Sequence, residues 1–79
     1  MKQLTLYSRP GCHLCENLLE GLLPMIRGQA SLEERNIDLD AQLRQQFDIR
    51  VPVLCAGDRV LCEAFLDAPK ISAWLAEPE

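Results

Sequence analysis

Hydrophobic and polar positions along the chain change their period several times, and each change marks an element. Leu4-Thr5-Leu6-Tyr7 alternates and predicts a strand over residues 4–8. Leu18, Leu19, Leu22 and Leu23 recur at helical spacing and predict an amphipathic helix from Cys12 to about Leu23. Pro24 is expected to end or kink it, with Met25 and Ile26 continuing the apolar face and Gly28 closing it. Residues 32–37 form a weak strand candidate, and the polar centre Glu33-Glu34-Arg35-Asn36 fits a sheet edge. Asp40 can cap a short helix whose buried face is Leu43 and Phe47.

The second half is simpler. Val51-Pro52-Val53-Leu54-Cys55 and Arg59-Val60-Leu61-Cys62 flank Ala56-Gly57-Asp58, which predicts a hairpin with a glycine-containing turn. With the turn at Gly57-Asp58, Cys55 and Cys62 fall on the same sheet face, one diagonal step apart, as two small buried hydrophobes or, alternatively, a second disulfide or regulatory pair. Asp67 can cap a last helix that tolerates Pro69 in its first turn and turns Ile71, Trp74 and Leu75 inward. The element order is β-α-β-α-β-β-α. A β-α-β crossover makes its two strands parallel and a hairpin is antiparallel. The expected fold is therefore α/β, a four-stranded mixed sheet with flanking helices, and residues 1–79 read as one domain.

Between the first strand and the leucine-rich helix lies Cys12-His13-Leu14-Cys15. Residues three apart on a helix share a face about 5–6 Å apart. A disulfide accepts Cα separations of about 4.4–6.8 Å, so this pair can open and close with little backbone movement. Pro10 and Gly11 disfavour helix and place the first turn at Cys12. A thiolate there meets unpaired backbone N–H groups and the positive end of the helix dipole. Both favour S⁻ and lower a thiol below its ordinary value of about 8.5. Cys12 is the candidate nucleophile and Cys15, one turn deeper, the candidate resolving thiol. His13, if protonated, would favour the thiolate, whereas the Glu16 carboxylate would oppose it. A structural zinc site usually needs two such cysteine pairs, and Cys55 and Cys62, separated by six residues, make a poor second one.

Composition narrows the chemistry. The chain has 79 residues, four cysteines and a formal net charge of −4. No basic cluster is present, which argues against nucleic acid or an anionic membrane as partner. No run approaches the roughly 20 apolar residues that span a bilayer. The N-terminus lacks the pattern of a secretion signal, so the cysteines are expected in the reducing cytoplasm, as catalytic or ligating thiols.

The segment Tyr7-Ser8-Arg9-Pro10-Gly11-Cys12-His13-Leu14-Cys15 resembles the active-site motif of the glutaredoxins, and Val51-Pro52 resembles that family's step before its third strand. The resemblance covers nearly the whole chain and implies the thioredoxin-like fold with a cis Val51-Pro52 bond. It implies that Arg9 holds a substrate carboxylate, that the backbone of Val51 at Pro52 pairs with an extended substrate, and that Tyr7 lies beside the active-site helix. Arg50 stands where the family has threonine and is a second candidate carboxylate ligand, the alternative for both arginines being a solvated surface charge. The family's paired glycines after the fourth strand are absent from Leu61-Cys62-Glu63-Ala64-Phe65-Leu66-Asp67, and Phe65-Leu66-Asp67-Ala68-Pro69-Lys70 instead resembles the glutaredoxin-like proteins reduced by thioredoxin reductase.

The expected function is a monomeric thiol–disulfide oxidoreductase of electron transport. It would reduce protein disulfides or glutathione adducts, with no bound cofactor or metal. Glutathione is a possible co-substrate, and glutathione or thioredoxin reductase the reductant. The alternatives are a binding module with redox-sensitive thiols, and an iron–sulfur or metal carrier in which two chains share a cluster through Cys12.

Overall fold

The computed structural model describes residues 2–78. Lys2–Ser8 forms β1, His13–Ile26 α1, Ala30–Asn36 β2, Ala41–Phe47 α2, Val53–Ala56 β3, Arg59–Glu63 β4 and Ala68–Ala76 α3. A short 3₁₀ turn, Ile37–Leu39, follows β2. The sheet order is β2-β1-β3-β4; β1 and β2 are parallel, while β3 is antiparallel to both β1 and β4. This is the thioredoxin-like arrangement expected from the element order.

The period-two alternation of β1 divides the core. Leu4 and Leu6 point to the face covered by α1 and α3, where they meet Leu18, Leu22, Ile26, Leu54, Leu61, Ile71 and Trp74. Tyr7 points to the other face and joins Ile37, Phe47, Val53 and Cys55 beneath α2. Leu6, Leu22, Ile37, Val53, Leu54 and Ile71 are completely buried. Each such side chain contributes about 1.5–3 kcal/mol from lost water contact, before conformational entropy is counted.

Four local expectations need correction. The helix does not end at Pro24: α1 runs to Ile26 with Pro24 inside it. The proline ring is on the solvent side, and burial of Ile26 with partial burial of Met25 offsets the missing N–H bond. Gly28 then closes the helix at φ +77°, a conformation open to glycine. Cys12 is the N-cap residue, extended at φ −92° and ψ 105°, so the helix proper starts at His13. The edge strand begins two residues earlier than expected, and Ile37 leaves it for the 3₁₀ turn, where it is buried under α2.

Cys55 and Cys62 lie on opposite faces of the sheet. Ala56 pairs with Arg59 and Cys55 with Val60, but Leu54 pairs with Cys62, so Leu61 is an extra residue in β4. This bulge turns both Leu61 and Cys62 toward α1 and α3, whereas Cys55 stays under α2. The shift lets β4 add two side chains in succession to the larger core.

Candidate active site

The loop Arg9–Cys12 leaves the end of β1 and delivers the cysteines at the start of α1. Cys12 and Cys15 are joined as a disulfide, with Cα atoms 5.2 Å apart. Cys12 is half-buried, and Cys15 is 5% exposed beneath it. The backbone N–H of Cys15 donates to Cys12 Sγ at 3.1 Å, and that of Glu16 to the Cys12 carbonyl at 3.1 Å. The outer sulfur thus takes the place an oxygen holds in ordinary N-caps. Once the bond is reduced, the same N–H and the helix dipole stabilise charge on Cys12. Gly11, at φ +75°, makes the turn that aims Cys12 into this position.

A cavity of about 380 Å³ opens beside the pair, lined by Ser8, Arg9, Pro10, Gly11, Cys12, Cys15, Glu16, Leu19, Glu34 and Asn36. Register explains why β2 contributes. Leu4 pairs with Leu32, Leu6 with Glu34 and Ser8 with Asn36, so Glu34 and Asn36 share the face on which α1 lies. Ser8 is buried, and its hydroxyl donates to Glu34 Oε2 at 3.4 Å. Sequence reasoning missed Ser8, Glu34 and Asn36 as site residues. The sequence shows that Leu32, Glu34 and Asn36 share one face of a strand, but their meeting with Leu4, Leu6 and Ser8 is set by the register.

The arginines are engaged internally. Arg9 donates to Asp38 Oδ1 at 2.6 Å, Asp48 Oδ1 at 2.9 Å and the Asp48 carbonyl at 3.0 Å. It ties the cysteine loop to the 3₁₀ turn and the end of α2. Hydrogen bonds to Asp38 and then Asp48 push the Arg9 guanidinium further up, and the bond from Arg9 holds the Asp38 carboxyl below its ordinary value. Arg50 makes the same kind of fork on Glu63, at 2.6 and 3.3 Å. That hydrogen bond raises Arg50 and lowers Glu63. Both guanidinia are thus paired internally, and a substrate carboxylate at either would have to share or displace one already in place.

The remaining expected residues are placed as follows. The Val51-Pro52 bond is cis. Tyr7 pairs with Val53, which brings Pro52 to the end of the sheet where the cysteine loop begins. Pro52 is fully buried, and its carbonyl accepts from Ala64 at 2.9 Å. The N–H of Val51 donates to the Phe47 carbonyl at 3.2 Å, which leaves at most the Val51 carbonyl for an extended substrate. Tyr7 does not flank α1: its ring stacks on Phe47 at 4.4 Å between centroids, on the α2 face. A residue one position from Ser8 faces the opposite way, so Tyr7 cannot line the cavity. The His13 side chain is 93% exposed, with Nδ1 3.8 Å from Glu16 Oε2. It stands out in solvent at the helix start.

This fold, with a C-x-x-C pair at its first helix start, defines a glutaredoxin-like protein of the thioredoxin superfamily carrying a redox-type thiol site. The glutaredoxin-like domain family (DUF836) matches residues 3–76, and the chain belongs to that family. It is similar to protein Ne2328 from Nitrosomonas europaea, whose solution structure is 40% identical over 95% of this chain and 92% of that one, with a TM-score of 0.83. The X-ray structure of protein XcR50 from X. campestris is 42% identical over 95% of this chain and 99% of that one, with a TM-score of 0.71. No curated protein matches the chain.

Proposed function

We propose that the protein is a thiol–disulfide oxidoreductase that reduces disulfides of proteins or of glutathione adducts. The observation that carries this reading is the pairing of a half-buried Cys12, bonded by the Cys15 N–H, with a buried Cys15 at disulfide distance. The reduced Cys12 thiolate attacks one sulfur of the substrate disulfide and forms a mixed disulfide. The other substrate sulfur leaves with the bonding pair and takes a proton from water. Cys15, giving its proton to water, attacks Cys12 Sγ; the Cys12–Cys15 bond forms and the second substrate thiol is released. One disulfide is reduced and one dithiol oxidised, with two electrons transferred. A cellular reductant, glutathione or thioredoxin reductase, then restores the dithiol, and the cytoplasm is the compartment in which that cycle would run. The chemistry asks for no bound cofactor.

The test is a trap. A Cys15→Ser protein incubated with a disulfide peptide accumulates a Cys12–peptide adduct, seen as one added peptide mass, whereas Cys12→Ser forms none and has no reductase turnover. Wild-type turnover in Cys12→Ser would overturn the mechanism.

A further inference from the structure

The walls of the dithiol cavity carry two carboxylates that make no ion pair with its lining cation. Glu16 from α1 and Glu34 from β2 both line it, together with Cys12 and Cys15. One cation, Arg9, is among the lining residues, and it is bound by the carboxylates of Asp38 and Asp48. Two carboxylates thus line the cavity, and its one lining guanidinium is already paired with two others. Arg35, the neighbour of Glu34, points across the strand to Asp40, 3.9 Å away, and so does not offset Glu34. Beside Pro52, Arg50 is neutralised by Glu63. The chain as a whole carries −4.

We propose that the preferred substrate is a polypeptide disulfide flanked by lysine or arginine, with Glu16 and Glu34 as the residues that select it. The inference rests on the oxidoreductase reading and names its substrate class. A cleft lined by one sign of charge concentrates partners of the opposite sign and speeds their encounter. A small anionic disulfide meets carboxylates at the cavity and an arginine already satisfied. A basic peptide finds two carboxylates in the cavity beside the sulfur it must approach. In the reaction, Cys12 Sγ attacks the peptide sulfur, the displaced thiolate keeps the bonding pair and is protonated by water, and Cys15 then closes on Cys12 as above.

The experiment uses three peptides of equal length with a central cysteine activated as the neutral 2-thiopyridyl disulfide. Lysine, glutamine or glutamate occupies the flanking positions. Release of thiopyridone gives the second-order rate constant with the reduced full-length protein, divided by that of mercaptoethanol with the same peptide to remove intrinsic electrophilicity. At low ionic strength the lysine peptide should react on the order of tenfold faster than the glutamate peptide. The ratio should fall toward one in 0.5 M salt, where the screening length shrinks to a few ångströms. In Glu16→Gln/Glu34→Gln the low-salt ratio should fall to about twofold or less. Equal rates for lysine and glutamate peptides, or a double variant that keeps the full ratio, would overturn the assignment. Normal reaction with the glutamine peptide in that case would leave the oxidoreductase reading standing; no reaction of Cys12 with any of the three would remove both.

Discussion

The backbone N–H of Cys15 points at Cys12 Sγ from 3.1 Å, so the residue proposed to resolve the mixed disulfide also donates to the proposed nucleophile. The bond runs from the first turn of α1 to its cap and needs no side chain beyond the two cysteines. After reduction, Cys12 should behave as a thiol shifted toward thiolate. Its alkylation rate by iodoacetamide, followed against pH by mass spectrometry, should reach half its maximum below about 8.5, the ordinary cysteine value. A half-maximum at or above that value would mean that the cap does not activate the sulfur.

Cys55 and Cys62 should stay silent in the same experiment. Burial pushes both thiols up, and each is closed into a different layer of the core. Alkylation of the native reduced protein at pH 8 should mark Cys12 first. Cys55 and Cys62 should react only when denaturant opens the fold, and oxidation should never join them, because the Leu61 bulge sends them to opposite faces. A Cys55–Cys62 crosslink in the native protein would contradict that register.

Ala64 holds φ +66°, with its N–H on the Pro52 carbonyl and the Phe65 N–H on the Glu63 carbonyl at 2.7 Å. A Cβ in the left-handed region costs roughly 1–2 kcal/mol. Ala64→Gly removes that cost and adds about 0.4–1 kcal/mol of unfolded-chain freedom. The variant should therefore gain about 0.5–1 kcal/mol, read as a higher urea midpoint with an unchanged slope. A lower midpoint would show that the alanine methyl makes a contact worth more than the backbone strain.

The Arg9 fork on Asp38 and Asp48 gives a pH-dependent contribution to stability. The Asp38 carboxyl is held below its ordinary value by the bond from Arg9, so the native state binds its proton less readily than the unfolded chain. That contribution is present above the unfolded value, near 3.8, and is lost as pH falls through the lower folded value. Arg9→Gln should unfold earlier than wild type in urea at pH 7. The difference should shrink below about pH 4 and vanish once Asp38 is protonated in both states. A difference that stays constant from pH 7 to pH 2.5 would mean that Arg9 acts through packing and not through its charge.

Removing the ring of Phe47 should be costly. It is 4% exposed, stacks on Tyr7 and lies 5.2 Å from the Arg50 guanidinium. Phe47→Ala should lose about 3–5 kcal/mol. A loss under 1 kcal/mol in denaturant titration would show that the α2 layer repacks around the gap.

The sequence reading reached the element order, because alternation in β1 and leucine spacing in α1 are signals of single segments. It also reached Cys12 and Cys15, whose spacing is itself the geometry of the disulfide. It did not reach features set by how segments meet. The Leu61 bulge depends on which face of β4 the larger core fills, and an uninterrupted hairpin register is the simpler assumption. Glu34 enters the cavity only through the parallel register of β2 on β1, which local sequence does not specify. Arg9 and Arg50 look like free cations in one dimension; their carboxylates lie 29 and 39 residues away for Arg9 and 13 for Arg50. A helix end at Pro24 follows from its local cost, which is visible in the sequence, whereas the burial of Ile26 that offsets it is a tertiary gain.

The central claim is that Cys12 and Cys15 exchange electrons reversibly as a pair. Equilibrating the protein across a series of thiol–disulfide buffers, trapping free thiols and mapping the labels by mass tests it directly. The account predicts a two-electron transition confined to Cys12 and Cys15, with Cys55 and Cys62 reduced throughout. A pair that stays fully reduced or fully oxidised across the series, or labels that change at Cys55 or Cys62 instead, would contradict it.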